Sequence, residues 1–216
     1  MITNRHMDEV IRILRRETRR WRVPVVGHYR HDPYTTLISC LLSLRTQDAT
    51  TRAASERLFR RARTPQAMVR LSRRIIERAI YPVGFYRTKA ATVLRISREL
   101  LRRFDGRVPA DLDALLTLKG VGRKTANLVV TLAFDRPGIC VDTHVHRISN
   151  RWGYVRTRTP EQTEMALRRR LPARYWKIYN DLLVAFGQNL CHPTSPWCSR
   201  CPLRGPCARR GVRRWR

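Results

Sequence analysis

Residues 118–126 read Leu118-Lys119-Gly120-Val121-Gly122-Arg123-Lys124-Thr125-Ala126, and this stretch decides the fold. It joins two apolar segments of helical character, Leu112–Leu118 and Thr125–Phe134, through the link from Lys119 to Lys124. Glycines at alternate positions, Gly120 and Gly122, let the backbone approach another object closely and reach positive φ. The amide hydrogens that open the second helix then face an anion, which the helix dipole also favours. With Lys119, Arg123 and Lys124 around it, the segment reads as a helix–hairpin–helix, a clamp on a nucleic-acid backbone that ignores base sequence. A plain helix–turn–helix connection is the simpler reading, and the basic flanks weigh against it.

Lys124 falls in the first turn of the second helix, where the positive end of the dipole makes a cation costly. That placement makes sense for phosphate binding, or where a neutral amine is wanted. An amine nucleophile must be partly uncharged at about pH 7, and the dipole, Arg123 and desolvation all push that way. Further along, Val141-Asp142-Thr143-His144 sets Asp142 to cap the helix that follows, and capping alone is enough to explain it.

Away from this core the chain reads as helix after helix. Met7, Val10, Ile11, Leu14 and Trp21 recur at helical spacing with arginines between them. Asp32-Pro33, Thr64-Pro65 and Thr159-Pro160 are helix starts, the last with Gln162 completing a capping box. A long amphipathic helix ends near Phe104-Asp105-Gly106, and another runs through Trp176, Tyr179, Leu182, Leu183 and Phe186. Val23–Val26 is the best strand candidate and is too short to found a sheet. The expected fold is all-α, with no repeat and no low-complexity linker. The expected organisation is a six-helix domain over 26–135 containing the hairpin, and a second helical domain over 136–216 completed by residues 1–25. The last residues, 208–216, carry five arginines and read as a loose basic tail.

The 216 residues carry 45 Lys and Arg against 16 Asp and Glu, a formal net charge of +29. Only Lys89, Lys119, Lys124 and Lys177 are lysines, so 41 of the cations are arginines. Such a surface repels itself unless it meets a polyanion, and the arginine fork grips phosphate bidentately. Nucleic acid is the leading partner, ahead of an anionic membrane or a merely arginine-biased composition. No apolar run approaches a spanning helix, and no secretory signal or organellar transit peptide is visible. The expectation is an intracellular protein, in the cytoplasm or nucleoid if bacterial.

Cys40 and Cys140 stand among apolar neighbours and read as small buried hydrophobes. The other four form Cys191-x6-Cys198-x2-Cys201-x5-Cys207, and a reducing compartment makes them a metal site before it makes them disulfides. Zinc usually takes two close pairs with a longer spacer. Here there is one close pair within a single compact loop, which suits an iron–sulfur cubane better, with zinc the alternative. Pro193, Pro196, Pro202 and Pro206 stiffen that loop.

The hairpin, then Val141-Asp142-Thr143-His144-Val145-x-Arg147, then the four-cysteine loop together resemble the endonuclease III family of DNA glycosylases. Leu41-Leu42-Ser43-x-x-Thr46-x-Asp48 and Val83-Gly84-Phe85-Tyr86-x-x-Lys89-Ala90 are similar to further family segments, and the likeness runs from about Pro33 to Cys207. The resemblance implies the two-domain helix–hairpin–helix glycosylase architecture, acting on duplex DNA that contains damaged bases or abasic sites, as a monomer. A damaged base is flipped out of the duplex. Lys124 matches the nucleophile that attacks the sugar C1′, expels the base and forms a Schiff base, after which β-elimination cuts on the 3′ side. Asp142 matches the carboxylate that stabilises positive charge on the sugar, and is expected near Lys124 without full ion pairing. Cys191, Cys198, Cys201 and Cys207 match the ligands of a [4Fe-4S] cluster whose loop helps hold DNA. Gly120, Gly122 and Arg123 match the DNA-binding hairpin, and His144 is assigned to a phosphate contact or to orienting the carboxylate.

Several positions depart from the family pattern. Arg45 stands where a glutamine often fills the gap left by the flipped nucleotide, and Phe85 stands where a smaller aliphatic wedge meets the orphan base. Both can stack on a base; core packing for Phe85 and a solvated charge for Arg45 are the simpler readings. Lys119 replaces a common proline in the hairpin. His192–Trp197 contains no Lys or Arg where relatives carry basic phosphate contacts, so Arg200, Arg204 or the tail would have to substitute. Lys124 separates this chain from the mismatch-specific branches, which lack lysine there, and the chain ends nine residues after Cys207, without the extra domain of the adenine branch. The expected activity is removal of oxidised pyrimidines with strand cleavage. The alternatives are a non-catalytic damage- or structure-specific DNA-binding module, or a monofunctional mismatch glycosylase.

Overall fold

A computed structural model of the chain describes residues 1–21 and 32–216. Eleven α-helices lie among them: α1 (Asn4–Thr18), α2 (Pro33–Ser43), α3 (Asp48–Phe59), α4 (Pro65–Val69), α5 (Arg73–Ile80), α6 (Tyr86–Arg103), α7 (Leu112–Leu116), α8 (Arg123–Phe134), α9 (Thr143–Arg151), α10 (Pro160–Arg170) and α11 (Trp176–Asn189). The described residues contain no strand, so the fold is all-α. The strand candidate Val23–Val26 lies outside them. Among the described residues no helix is long and apolar enough to cross a membrane.

The helix starts follow local chemistry. The Asp32 carboxylate accepts from Thr35 N at 3.2 Å, and the Thr64 and Thr159 hydroxyls accept from Ala67 N and Gln162 N. Pro at the first helical position costs nothing, because that N–H has no intrahelical partner. The expected capping box at α10 is closed differently: Gln162 Oε1 takes the N–H of Arg158, one residue before the cap.

The chain divides into two compact units, Met1–Pro24 with Pro137–Arg216, and Val25–Arg136. Among its described residues the second unit holds seven helices, α2 to α8, where the sequence leads one to expect six. The Ser72 hydroxyl accepts from Ile75 N and starts α5 shortly after α4. Helix α2 is the centre of this unit, packed on α3, α6 and α8. Leu37, Ile38 and Leu42 are fully buried, and so are Thr35 and Thr36, so the helix is enclosed on every side. Tyr34 at its start hydrogen-bonds Ser97 of α6 at 2.6 Å.

In the other unit α11 packs on α1 and α9, and α9 on α10. The large aromatics Trp152, Tyr154, Tyr179 and Phe186 fill its core, and Cys191, Cys201 and Cys207 pack at its margin. The tail is not loose. Arg210 N bonds Arg151 O at 3.0 Å, Arg216 N bonds Pro196 O at 2.8 Å, and Ser199 N bonds Arg216 O at 2.9 Å. The arginine content hides this, because the ties are made by backbone groups and not by the charged side chains.

Ser149 and Tyr179 are both fully buried and share one hydrogen bond of 3.0 Å. Tyr179→Phe strands the serine hydroxyl and is expected to lower stability by about 1–3 kcal/mol in urea or thermal unfolding.

Candidate nucleic-acid interface and active site

The hairpin lies between α7 and α8. Gly120 has φ +101°, and a Cβ there would come within 2.8 Å of Thr92 Cγ2 on α6, so glycine is required on both counts. The Arg95 guanidinium of α6 donates to the Lys119 carbonyl at 3.1 Å and fixes the turn. Gly122 has ordinary φ, −93°, and a Cβ there would meet nothing within 4 Å. It is the N-cap of α8 and offers no side-chain oxygen to the first-turn amides. Lys124 is the second residue of α8 and is half-buried. Its charge acts on the thiol of Cys40, which burial pushes up to about 12. Cys40 and Cys140 are both buried, as their neighbours imply.

Arg45 and Phe85 form a second feature of the same unit. Both have left-handed backbones, with φ 52° and 57°. Phe85 is 63% exposed, which overturns core packing as its explanation. The exposed Arg45 guanidinium carbon sits 5.8 Å from the Phe85 ring centroid, a cation–π pair. Two contacts hold their loops together. Gly84 has no room for a Cβ, which would lie 2.7 Å from the Arg45 carbonyl oxygen, and Gly84 N donates to Thr46 Oγ1 at 3.2 Å. The Lys89 ammonium of α6 reaches the same loop: it donates to Leu42 O at 2.8 Å, to Thr46 Oγ1 at 3.2 Å, and to Leu44 O. The sequence sets Lys89 within a family-like motif but does not disclose this role.

In the other unit, Asp142 caps α9. Its Oδ1 accepts from both His144 N and Val145 N at 2.9 Å, and Oδ2 takes no part in the cap. The His144 imidazole turns toward α11, with Nδ1 3.1 Å from Arg147 Nη2. A Cβ on Gly187 would overlap that imidazole nitrogen, so glycine at 187 makes the packing possible. Arg147 donates from Nε and Nη2 to the Cys191 carbonyl at 3.2 and 2.8 Å. One turn on, the buried Arg151 donates to His192 O at 2.6 Å, to Pro193 O at 2.5 Å, and to Cys191 Sγ at 3.4 Å. Arg151 escapes sequence reading, although its spacing of four from Arg147 puts both on one face of a helix.

All four cysteines of the loop line one pocket, with Trp152, Phe186, Leu190 and Trp197. Among the described residues no three His, Cys, Asp or Glu side chains converge closely enough to hold a single metal ion. Thiols that surround a space fit a polynuclear cluster, and a lone tetrahedral ion would need them drawn to a point. N–H groups aimed at sulfur, from Arg151 and from Arg209 N to Cys207 Sγ at 3.4 Å, suit thiolate ligands. Burial pushes Cys201 up to about 12 and raises Cys198 and Cys207, with neighbouring thiolates adding to the effect. Thiolates here therefore need a cationic centre to balance them.

A family model described as HhH-GPD superfamily base excision DNA repair protein matches residues 38–173. Endonuclease III of Thermotoga maritima is 47% identical over 84% of this chain and 85% of its own length. Endonuclease III homolog 1, chloroplastic, of Arabidopsis thaliana is 43% identical over 81% of this chain, which spans about half (48%) of that relative's length. A solved structure of a trapped endonuclease III–DNA covalent intermediate, an estranged-adenine complex, superposes with a TM-score of 0.86 at 33% identity, covering 96% of each chain.

Burial pushes the Lys89 amine down to about 8 from an ordinary 10.5, against the pull of its three oxygen acceptors. Between those values the unfolded chain binds more protons here than the native one, so this group's contribution to stability rises with pH across that window. Lys89→Met is expected to flatten the rise in unfolding midpoint from pH 8 upward.

Proposed function

Because this chain belongs to the endonuclease III family, within the HhH-GPD superfamily of base excision DNA repair proteins, we propose that Lys124 and Asp142 are its reacting groups. The chain is a base-excision DNA glycosylase with AP lyase activity. Its substrates are oxidised pyrimidines and abasic sites in duplex DNA, and it works as a monomer. The observation that carries the reading is the position of Lys124: half-buried in the first turn of α8, directly after a hairpin whose Gly122 N-cap supplies no side-chain oxygen to the first-turn amides. A phosphate seated on those amides brings the adjoining sugar to the lysine.

The Lys124 amine attacks C1′ of the flipped nucleotide, the glycosidic bond breaks, and the base leaves with its bonding electrons and a proton. The attacking amine gives up one proton, which the departing base takes, and its nitrogen lone pair then opens the sugar ring to a protonated Schiff base while O4′ takes up a proton from water. Removal of a C2′ proton then expels the 3′ phosphate, which cleaves the strand. Asp142 supports the positive charge that develops on the sugar, and assists proton transfer through Oδ2, the oxygen its cap leaves unused. Arg45 and Phe85 occupy the space beside the flipped nucleotide, Gly120, Gly122 and Arg123 carry the backbone clamp, and His144 supports Asp142 through helix α9. Cys191, Cys198, Cys201 and Cys207 would hold a [4Fe-4S] cluster, which when bound cross-links the loop and takes no part in the excision.

Borohydride added during reaction with abasic duplex is expected to trap a covalent adduct with the wild-type chain and none with Lys124→Ala. Asp142→Asn keeps a capping oxygen, so it should fold normally and lose excision rate by about 10²-fold or more. Absence of an adduct from folded wild-type protein overturns the lyase reading. The purified protein should be brown, with iron and sulfide in equal amounts and close to four of each per chain. A colourless protein with one zinc would remove the cluster.

A further inference from the structure

Arg45 is held from both sides by two half-buried residues, Thr46 and Lys89. The Leu44 carbonyl before it takes the Lys89 ammonium and, at 3.3 Å, the Thr46 hydroxyl. The Thr46 oxygen after it accepts from Lys89 Nζ and from Gly84 N, each at 3.2 Å. That hydroxyl gives its one proton and fills both lone pairs, so its hydrogen-bonding capacity is exhausted inside the protein.

The same lysine closes on Phe85. Its N–H makes the first hydrogen bond of α6 with the Phe85 carbonyl at 3.0 Å, while Nζ reaches Leu42 O in the last turn of α2 at 2.8 Å. The left-handed backbones at 45 and 85 are therefore fixed by one shared set of bonds. Without them each residue would gain by returning to negative φ, which carries its side chain elsewhere. The reacting amine is close by. The charge of Lys124 acts on Cys40 of α2, and α2 ends about one turn beyond Cys40, at the loop that bears Arg45.

We propose that Lys89 and Thr46 are positioning residues for the extrusion of a damaged base that is still paired. They set Arg45 against Phe85 before DNA arrives, and they take no part in the bonds made and broken at Lys124. The inference rests on the reading of the chain as a glycosylase and extends it to two residues and one step. Drawing a base out of the stack costs most where it is well paired and least where it is already missing. A tip whose order is fixed beforehand loses no freedom on insertion, so its full contact energy works against that cost. The clamp thus sets how well paired lesions are processed relative to abasic sites.

The test uses the whole chain in its metal-loaded form. Thr46→Val keeps the shape and removes the hydroxyl, Thr46→Ser keeps the hydroxyl, and Lys89→Met removes the ammonium. Single-turnover excision of dihydrouracil paired with guanine should slow by about tenfold in Thr46→Val and in Lys89→Met. Borohydride trapping on a preformed abasic duplex should change by less than about twofold in both. Thr46→Ser should regain most of the rate on the paired lesion. A 2-aminopurine opposite a tetrahydrofuran abasic analogue reports on the tip itself: its fluorescence change on binding should shrink in the two disruptive variants and return in Thr46→Ser. Equal slowing on both substrates overturns the proposal, because a folding defect or a chemical role gives that result. An unchanged rate on the paired lesion overturns it too, as does a full fluorescence change in a slowed variant. If the wild-type chain gives the fluorescence change but no adduct, the catalytic reading alone fails, since that signal does not involve Lys124; its loss in Thr46→Val would still support the clamp.

Discussion

Two guanidinium groups on one face of α9 hold the cysteine loop by its carbonyls, and much of the Pro137–Arg216 unit depends on that hold. Arg147 and Arg151 between them take the carbonyls of Cys191, His192 and Pro193. A loop with no helix or strand of its own has backbone acceptors that must be satisfied from elsewhere, and rigid planar donors meet that need with little sacrifice of side-chain freedom. The same helix begins at Asp142. The orientation of that carboxylate and the placement of the loop are therefore set by one rigid rod, and a shift at either end is felt at the other.

A comparable economy governs the Val25–Arg136 unit. Arg45 and Phe85 sit in backbone conformations that cost a non-glycine residue about 1–2 kcal/mol each. The Lys89 hydrogen bonds, the Gly84 close approach and the cation–π pair offset that cost and keep both side chains facing solvent. Strain is thus concentrated in two neighbouring exposed residues, held by a half-buried cation.

How much of this was legible in the sequence depends on distance along the chain. Caps at Asp32, Thr64, Asp142 and Thr159 are local, and each side chain accepts a first-turn amide as the sequence implies, with only the return bond of Gln162 displaced to Arg158. The hairpin is legible for the same reason, since glycine at 120 and the flanking cations act within a few residues. Ser72 passes unnoticed because one serine among arginines carries no pattern until its hydroxyl meets Ile75 N. Lys89, Arg151 and Gly187 owe their importance to partners about 40 residues away or more. At Phe85 the sequence leaves base stacking and core packing both open, and only the left-handed turn that points the ring outward removes the second. The tail misleads through composition: five arginines suggest a solvated strand, while the ties that order it are amides and carbonyls.

With Arg45 and Phe85 beside the flipped nucleotide, as proposed above, their preset geometry bears on how fast duplex DNA is surveyed. A probe that must reorganise at each base pair adds its own relaxation time to every trial. A tip already locked by its scaffold adds none, so the dwell at each step is governed by how readily the helix itself yields, and weak pairs are sorted from strong ones while the protein is still moving.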